Sequence, residues 1–307
     1  MSQDDEFEVP PTQPAHEARA SFDRLWETLG LQDTVLVSTG ETLLPETVPL
    51  AQRPETMRLE ELPRLKAERA GGRGELKVTQ TIGQGGMGVV YLARQNTIGR
   101  DVAVKAVRED RRSAQASEEL LREAWITGRL EHPNVVPVHA LGVDEQSSPL
   151  FVMKRVEGIS WEEALEDVES LPDMYQGEDA LEAHLEIFEQ VCQAVHFAHS
   201  RGILHRDIKP ENVMLGHFGE VYLVDWGIAV SMKQDPDGQL PSLASVAGPA
   251  GTPGYMAPEM AAGDGEAMGP WTDVYLLGAT LHQIVTGELR HQGKDLYGLM
   301  FQAYHSA

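Results

Sequence analysis

Four polar side chains stand at fixed intervals among apolar runs in the stretch 205–227. They are Asp207, Lys209, Asn212 and Asp225. The apolar runs 213–215 and 221–224 surround a turn that contains glycine, so we predict a loop that leads into a short hairpin. Asp and Asn oxygens are hard ligands that suit Mg²⁺. A further Asp and a Lys beside such an ion would orient a hydroxyl and neutralise charge, as phosphoryl transfer requires.

The same stretch resembles the catalytic loop and metal-binding turn of protein kinases. Residues 205–212 have the spacing of the H-R-D-x-K-x-x-N motif, and Asp-Trp-Gly at 225–227 stands where Asp-Phe-Gly is usual. The resemblance implies that Asp207 orients the substrate hydroxyl and accepts its proton, while Lys209 offsets charge on the transferred group. It also implies that Asn212 and Asp225 hold Mg²⁺, with Mn²⁺ as an alternative metal.

A glycine-rich segment at 83–88 follows a predicted strand over 76–82. The residues after it are β-branched and aromatic, which predicts strand, glycine turn, strand. A dinucleotide-binding fold would need a helix at this point, so a nucleotide-dependent oxidoreductase is disfavoured. Because glycine has no side chain, backbone N–H groups of such a turn can approach phosphate oxygens. The next predicted strand, 101–107, carries Lys105 among apolar residues, where burial is costly unless the ammonium meets an anion.

The kinase resemblance gives these elements roles in ATP binding. The glycine turn covers the phosphates, and Lys105 meets the α- and β-phosphates. The glutamate that pairs with this lysine is carried onto Glu123 in a predicted helix over 117–130, with Glu118 and Glu119 as alternatives.

The resemblance also defines the adenine pocket. Met153 guards its back, and Lys154 and Val156 offer backbone hydrogen bonds to adenine. The expected ATP contacts are Ile82, Gly83, Gly85, Gly86, Gly88, Val90, Ala103, Lys105, Met153, Lys154, Val156 and Met214.

Residues 228–259 resemble a kinase activation segment that ends in Ala-Pro-Glu, with Glu259 last. Thr252 matches a threonine that contacts the catalytic Asp and Lys of serine/threonine kinases. Together with Lys209, it indicates serine or threonine acceptors rather than tyrosine. In the predicted helix 273–286, Asp273 matches a residue that anchors the catalytic loop.

Arg206 matches an arginine that binds a phosphate on the activation segment and orders it. The predicted acceptors of that phosphate, by autophosphorylation, are Ser242 and Ser245.

The region after Glu259 is short for a kinase. It holds 48 residues, which allow a helix at 273–286 and one more at 295–306. Its only basic residues, Arg290 and Lys294, are misplaced for the arginine that normally pairs with the Ala-Pro-Glu glutamate. We therefore expect a truncated C-lobe and an unpaired Glu259. These expectations leave a second class of function open, a catalytically weak or inactive kinase-like scaffold.

Residues 1–75 hold 7 of the 18 prolines, with 8 basic and 15 acidic residues, and we predict a largely disordered acidic extension. Within it, helices are expected at 15–29 and 59–70. The first would place Phe22, Leu25, Trp26 and Leu29 on one face. We interpret the hydroxyl residues of the extension as solvated linker residues; the less favoured alternative is that they are phosphorylation sites. They are Thr34, Ser38, Thr39, Thr42, Thr47 and Thr56.

The resemblance extends from residue 76 to about 305 and implies an α+β, bilobal kinase-like fold. We expect an N-lobe of antiparallel strands with one helix at 76–153, a hinge at 154–158 and a mainly helical C-lobe at 159–307. Within the family, the chain resembles the bacterial eukaryotic-like serine/threonine kinases. This resemblance implies ATP as co-substrate, with proteins bearing Ser or Thr acceptors, and the kinase itself, as substrates.

Composition limits the partners and the compartment. The formal net charge of −23 argues against nucleic acid as a partner. The acidic N-terminus lacks the positive charge of a signal peptide, and no run of about 18 apolar residues predicts a membrane span. A single cysteine, Cys192, excludes an internal disulfide framework, so we expect a cytoplasmic protein.

Overall fold

The computed structural model describes residues 15–29, 41–43, 59–68, 75–85, 88–176, 179–235 and 238–306. The helices within these ranges are α1 (Ala15–Leu29), α2 (Ala114–Arg129), α3 (Trp161–Glu166), α4 (Ala180–Ser200), α5 (Pro258–Ala262), α6 (Pro270–Thr286) and α7 (Leu296–His305). The strands are β1 (Ala67–Glu68), β2 (Leu76–Gln84), β3 (Val89–Gln95), β4 (Arg100–Ala106), β5 (Val138–Val143), β6 (Pro149–Lys154), β7 (Gly158–Ser160), β8 (Ile203–Leu204), β9 (Val213–Gly216), β10 (Val221–Leu223) and β11 (Val230–Ser231).

Six strands form one sheet in the order β1-β2-β3-β4-β6-β5. All neighbours are antiparallel except the short β1, which runs parallel to β2. Helix α2 packs on this sheet through a cluster that contains Leu120, Ala124 and Phe151. It begins three residues earlier than predicted because the Ser113 hydroxyl caps it, accepting the N–H of Ala116 at 3.1 Å.

Helix α4 lies at the centre of the second, mainly helical layer. Its buried face contains Ala183, Ile187 and Val191, and it packs against α6, β8 and β10. Beside it, β7, β9 and β10 form a three-stranded antiparallel sheet, and β8 pairs with β11. The predicted α+β, bilobal kinase-like architecture is therefore confirmed.

Two faces of these helices differ from the predicted ones. The helical spacing of apolar residues in 180–200 predicts Leu181 and Leu185 on the buried face of α4 and His184 on its polar face. Leu181 and Leu185 are instead exposed (43% and 42%), whereas His184 is buried. The reason is that His184 Nδ1 accepts the indole N–H of Trp161 at 3.1 Å, which turns this side of the helix inward.

The apolar pattern of the helix predicted over 273–286 places Val274 and Val285 inside, but on α6 these residues are exposed at 58% and 62%. The buried face instead includes Thr272 and Asp273, whose side chains hydrogen-bond to the backbone and to neighbouring side chains.

Helix α1 occupies the predicted range and packs on α7. Phe22 and Trp26 are buried, and the ring of Phe22 lies 5.2–5.4 Å from those of Tyr297, Phe301 and Tyr304. Leu25 is partly buried beside them, while the side chain of Leu29 lies outside the description.

The second helix predicted in the extension, over 59–70, is wrong. A single 3-10 turn at Leu59–Glu61 is followed by extended chain and β1. The backbone here pairs with the end of β5: Leu65 N–H donates to the carbonyl of Val143 at 2.9 Å, and Val143 N–H donates to Pro63 at 3.0 Å. Because proline removes a helix donor, sheet pairing is favoured. None of the helices in the described ranges is long and apolar enough to cross a membrane.

Candidate active site

The catalytic loop is held from below by the carboxylate of Asp273, which is fully buried on α6. Its oxygens accept the backbone N–H groups of His205 and Arg206, each at 2.9 Å. His199, near the end of α4, places its Nε2 2.7 Å from the same carboxylate. Arg206 adopts φ 70°, a left-handed conformation that is uncommon outside glycine. The contacts fit the anchoring role that the resemblance implies for Asp273.

Asp207 is buried, and both of its carboxylate oxygens are hydrogen-bonded. The hydroxyl of Thr252 donates to Oδ1 at 2.7 Å, and the amide Nδ2 of Asn212 donates to Oδ2 at 2.8 Å. A third donor, the hydroxyl of Thr42, reaches Oδ2 at 2.8 Å. Because these bonds fix the carboxylate, Oδ2 is oriented towards an aliphatic hydroxyl within the reach that a general base needs.

Lys209 supplies a positive charge at the same point. Its Nζ lies 3.9 Å from Oδ2 of Asp207 and 2.7 Å from Oε2 of Glu211, and it donates to the Thr42 hydroxyl at 3.2 Å. The side chain is 4% exposed, so solvent screens this charge little.

Lys105 on β4 contacts one acidic residue from each lobe. Its Nζ lies 2.5 Å from Oε1 of Glu123 and 3.4 Å from Oδ1 of Asp225. Of the alternatives to Glu123, Glu118 bonds Arg122 one turn along α2, and Glu119 accepts from Gln115. The geometry therefore pairs Lys105 with the first-choice glutamate.

Burial and charge act in opposite directions in this cluster. Burial disfavours the ammonium of Lys105, but the carboxylates of Asp225 and Glu123 outweigh it and hold the pKa of Lys105 above its usual value. Burial raises the pKa of Glu123, an effect that Lys105 only partly offsets. Burial acts in the same direction on Asp225, but there Lys105 prevails and lowers the pKa. Lys105 is thus a stable cation beside an ionised Asp225.

The predicted metal ligands offer the right atoms for a divalent cation. Nδ2 of Asn212 donates to Asp207 at both its backbone oxygen and Oδ2, each at 2.8 Å, which leaves the amide oxygen free to bind a cation. Asp225 adopts φ 60° at the start of the Asp-Trp-Gly turn, and its carboxylate is partly exposed. An amide oxygen and a carboxylate are a donor set that fits Mg²⁺ completed by phosphate oxygens and water.

Trp226 replaces the usual phenylalanine without opening the turn. It is fully buried, and its ring centroid lies 4.4 Å from that of His205. His205 in turn accepts the backbone N–H of Asp207 at its Nδ1, at 3.1 Å. Burial lowers the pKa of His205, so the ring is neutral and can accept this bond.

The expected ATP contacts lie on or beside β2, β3, β4 and β6, except Met214, which lies on β9. Val90 pairs with Lys105 across β3 and β4, and Ala103 pairs with Met153 across β4 and β6. At the tip of the β2–β3 hairpin, Gly85 N–H donates to the carbonyl of Gly88 at 3.0 Å. A side chain at Gly88 would meet the carbonyl oxygen of Ala106 at 2.7 Å, so the close strand approach excludes larger residues there.

The remaining predicted ATP contacts differ in their surroundings. Ile82 is 46% exposed near the end of β2, Met214 is half-buried on β9, and Gly86 lies outside the described residues. The N–H of Lys154 donates to the carbonyl of Pro137 at 2.9 Å, so only its own carbonyl can serve adenine. Its ammonium donates to the hydroxyl of Tyr222 at 2.5 Å.

Arg206 is buried, and its guanidinium reaches the start of the activation segment. Its Nη1 donates to the carbonyl of Ile228 at 3.2 Å, while Nε and Nη2 have no hydrogen-bond partner within the described part of the chain. Burial lowers the pKa of Arg206 to about 10. Ser245 is exposed and donates to the carbonyl of Ser242 at 2.6 Å.

Glu259 has a hydrogen-bond partner that the sequence did not indicate. The hydroxyl of Thr272 donates to its Oε1 at 2.6 Å, and the same hydroxyl oxygen accepts the N–H of Gly269 at 3.1 Å. Glu259 therefore accepts a hydrogen bond from α6, while within the described residues no arginine pairs with it.

The family model described as "Protein kinase domain" matches residues 76–305. The chain belongs to the protein kinase family. This kinase is 40% identical over 225 residues to the serine/threonine-protein kinase PknD of Chlamydia caviae, and 38% identical over 233 residues to PknD of Chlamydia felis. The alignments cover 68% and 71% of this chain and 24% of each relative, so the chain spans about a quarter of their length. The predicted resemblance to bacterial eukaryotic-like serine/threonine kinases is confirmed.

Sequence analysis missed two residues of this kinase site, Thr42 and Leu43. Both belong to the extension, where a solvated linker residue is the preferred interpretation of Thr42 and a phosphorylation site is the alternative. The structure places Thr42 against Asp207 and Leu43 in a β-bridge with Gly251. No local signal distinguishes Thr42 from the other hydroxyl residues of the extension, since the contact spans 165 residues of chain.

Proposed function

We propose that this kinase transfers the γ-phosphoryl group of Mg-ATP to serine and threonine hydroxyls of proteins. The observation that carries the proposal is the position of the Thr42 hydroxyl. It donates to Asp207 Oδ2 at 2.8 Å and accepts from Lys209 Nζ at 3.2 Å. This is the environment that an acceptor hydroxyl needs, with a base on its proton and a cation beside its oxygen.

Each side chain then has one task. Asp207 orients the hydroxyl and accepts its proton, and Lys209 offsets negative charge on the group in transfer. Lys105, held by Glu123, pairs with the α- and β-phosphates, and the backbone of the glycine turn covers them. The oxygens of Asn212 and Asp225 are the proposed ligands of Mg²⁺, which neutralises phosphate charge when it is bound. Positioning and electrostatics account for most of the acceleration in such reactions.

The acceptor class follows from the two side chains that confine the hydroxyl. Thr252 and Lys209 stand close on either side of Asp207, so an aliphatic hydroxyl on a short side chain reaches Oδ2. The phenolic oxygen of tyrosine lies farther from its own backbone. A tyrosine substrate would therefore need its main chain to lie farther out from Asp207, in solvent. Proteins with Ser or Thr acceptors are therefore the proposed substrates.

Two further parts of the proposal concern regulation and location. Ser242 and Ser245 are proposed autophosphorylation sites, whose phosphate would meet the unpaired nitrogens of Arg206. A cytoplasmic location is proposed because a single cysteine fits a reducing compartment. The alternative of an inactive scaffold gains no support from the comparisons.

The test is phosphate transfer to a generic protein substrate such as myelin basic protein. With Mg-ATP labelled at the γ-phosphorus, we expect label in phosphoserine and phosphothreonine after acid hydrolysis. With ATP labelled at the α-phosphorus, no protein-bound label is expected. Label in phosphotyrosine alone, or the absence of any transfer, would contradict the proposal.

A further inference from the structure

The extension presents a threonine to the catalytic groups. The hydroxyl of Thr42 donates to Asp207 Oδ2 at 2.8 Å, accepts from Lys209 Nζ at 3.2 Å, and lies 3.2 Å from the hydroxyl of Thr252. The three groups that Thr42 contacts are the groups assigned above to the acceptor hydroxyl of a substrate. Thr42 therefore stands where the reacting side chain of a protein substrate would stand.

The next residue binds as a substrate strand would bind. Leu43 N–H donates to the carbonyl of Gly251 at 2.7 Å, and Gly251 N–H donates to the carbonyl of Leu43 at 2.9 Å. This antiparallel bridge lies on the activation segment, one residue before Thr252. The side chain of Leu43 is partly buried against the main core. Main-chain pairing combined with one apolar side chain is a common mode of peptide recognition.

The same extension packs against α7 through its helix α1. Phe22 and Trp26 of α1 are buried against α7, and the hydroxyl of Tyr297 donates to Asp23 at 2.5 Å. From Leu29 to Thr42 the chain advances 13 residues, which reach about 43–47 Å when extended. Docked α1 therefore tethers Thr42 to its own active site, and a short tether gives millimolar effective concentration.

We propose that Thr42 is an intramolecular phosphoryl acceptor of this kinase, and that residues 41–43 form a tethered substrate segment. This inference rests on the proposed function. Thr252 also bonds Asp207, but its side chain is fully buried and donates to Oδ1 rather than Oδ2. The Thr42 hydroxyl contacts both Asp207 Oδ2 and Lys209 Nζ.

The reaction balances with ATP as the only co-substrate. The Thr42 oxygen forms a bond to the γ-phosphorus, and the bond from that phosphorus to the bridging oxygen of ADP breaks. The hydroxyl proton passes to Asp207 Oδ2 and then to solvent, and the products are ADP and phosphothreonine 42. The new phosphate is close to dianionic at neutral pH and lies beside the Asp207 carboxylate, so repulsion expels the segment and frees the site for other proteins.

The experiment uses the full chain with Mg-ATP, and peptide mass spectrometry follows phosphate on Thr42. The expected rate is first order and unchanged over a thirtyfold range of kinase concentration. A tagged Asp207→Asn chain mixed with wild type is expected to gain no phosphate at Thr42, because its acceptor faces its own inactive site. Thr42→Val is expected to lose the modification at this position, and Thr42→Ser to keep it.

A second pair of variants tests the β-bridge without changing the catalytic groups. Leu43→Pro removes the N–H that donates to Gly251, and we expect at least a tenfold slower modification of Thr42. Leu43→Val keeps that N–H and is expected to retain the wild-type rate within about threefold, on the same reasoning. Phosphorylation of myelin basic protein is measured in parallel, and it is expected to continue in Leu43→Pro.

The outcomes separate this inference from the proposed function. If myelin basic protein is phosphorylated while Thr42 stays unmodified, the segment is only a blocking element and the inference is wrong. If the rate at Thr42 rises in proportion to kinase concentration, the intramolecular step is wrong. If neither Thr42 nor myelin basic protein gains phosphate, the proposed function itself fails and the inference fails with it.

Discussion

Replacing Asp273 with asparagine removes one of the two acceptor oxygens that hold the catalytic loop. The fully buried carboxylate accepts the N–H groups of His205 and Arg206 at 2.9 Å each. Asparagine keeps one oxygen and turns an NH₂ group towards a backbone donor. Losing a charge-assisted bond costs about 1.5–3 kcal/mol, and a buried unpaired donor costs about 1–3 kcal/mol more. We therefore expect Asp273→Asn to lower the free energy of unfolding by about 3–5 kcal/mol.

Activity should fall as well, because Arg206 would no longer be held at φ 70°. The left-handed conformation costs about 1–2 kcal/mol for a residue with a side chain, so a freed loop relaxes and moves Asp207. Urea unfolding and the kcat for a protein substrate measure the two effects, and we expect kcat to drop by more than about a hundredfold, since small misplacements cost this much.

The matched control is Asp144→Asn. Asp144 also accepts two backbone N–H groups, from Gln146 at 2.9 Å and Ser148 at 2.8 Å, but it is half-buried in a turn away from the site. Its expected cost is about 1 kcal/mol, with kcat unchanged. Equal costs for the two variants, or full activity in Asp273→Asn, would refute the account of the anchored loop.

Three further changes test other parts of the molecule. Glu123→Gln removes the charge that holds Lys105, and the Km for ATP should rise about tenfold or more in steady-state kinetics, whereas Glu119→Gln should leave it unchanged. Burial lowers the pKa of His291 to about 4, so below pH 6.5 the unfolded chain binds a proton that the folded chain does not. Stability should therefore fall with pH, by about 2 kcal/mol at pH 5, and His291→Gln should lack this loss in urea unfolding. Where α1 unfolds together with the rest of the chain, Phe22→Ala should lower the free energy of unfolding by about 3 kcal/mol. Arg24 is exposed on the same helix, so Arg24→Ala should change this free energy little.

Each of these has a contrary result. An unchanged Km for ATP in Glu123→Gln would mean that the ion pair does not position Lys105. Identical pH profiles of wild type and His291→Gln would assign the acid sensitivity to other groups. Full stability in Phe22→Ala, together with an unchanged modification rate at Thr42, would show that α1 does not tether the segment.

Much of this kinase could be predicted because its chemistry is encoded in local spacing. Lys105 and Glu123 are 18 residues apart, and the resemblance to the kinase family predicted their pairing, with Glu118 and Glu119 as alternatives. Asp207 and Asn212 lie close together in the sequence, on the same loop. The motifs and the family resemblance therefore predicted which of these residues lie together.

The contacts that were missed depend on pairing between distant segments. The bridge between Leu43 and Gly251 has no periodicity that marks it, and the strand β1 is two residues long. The exposed faces of α4 and α6 were misjudged for a related reason. Hydropathy ranks leucine and valine as interior, but His184 and Asp273 are buried because specific donors need them.

The most direct test of the account is the transfer rate of Asp207→Asn, measured in single turnover with Mg-ATP and myelin basic protein. Asparagine preserves the size of the side chain but cannot accept the hydroxyl proton, so we expect transfer to slow by about 10²–10⁴-fold. The affinity for ATP, measured by calorimetry on the same sample, should stay close to that of wild type because Lys105 and Asp225 are untouched. Equal transfer rates for the two proteins would contradict the assignment of Asp207 as the base.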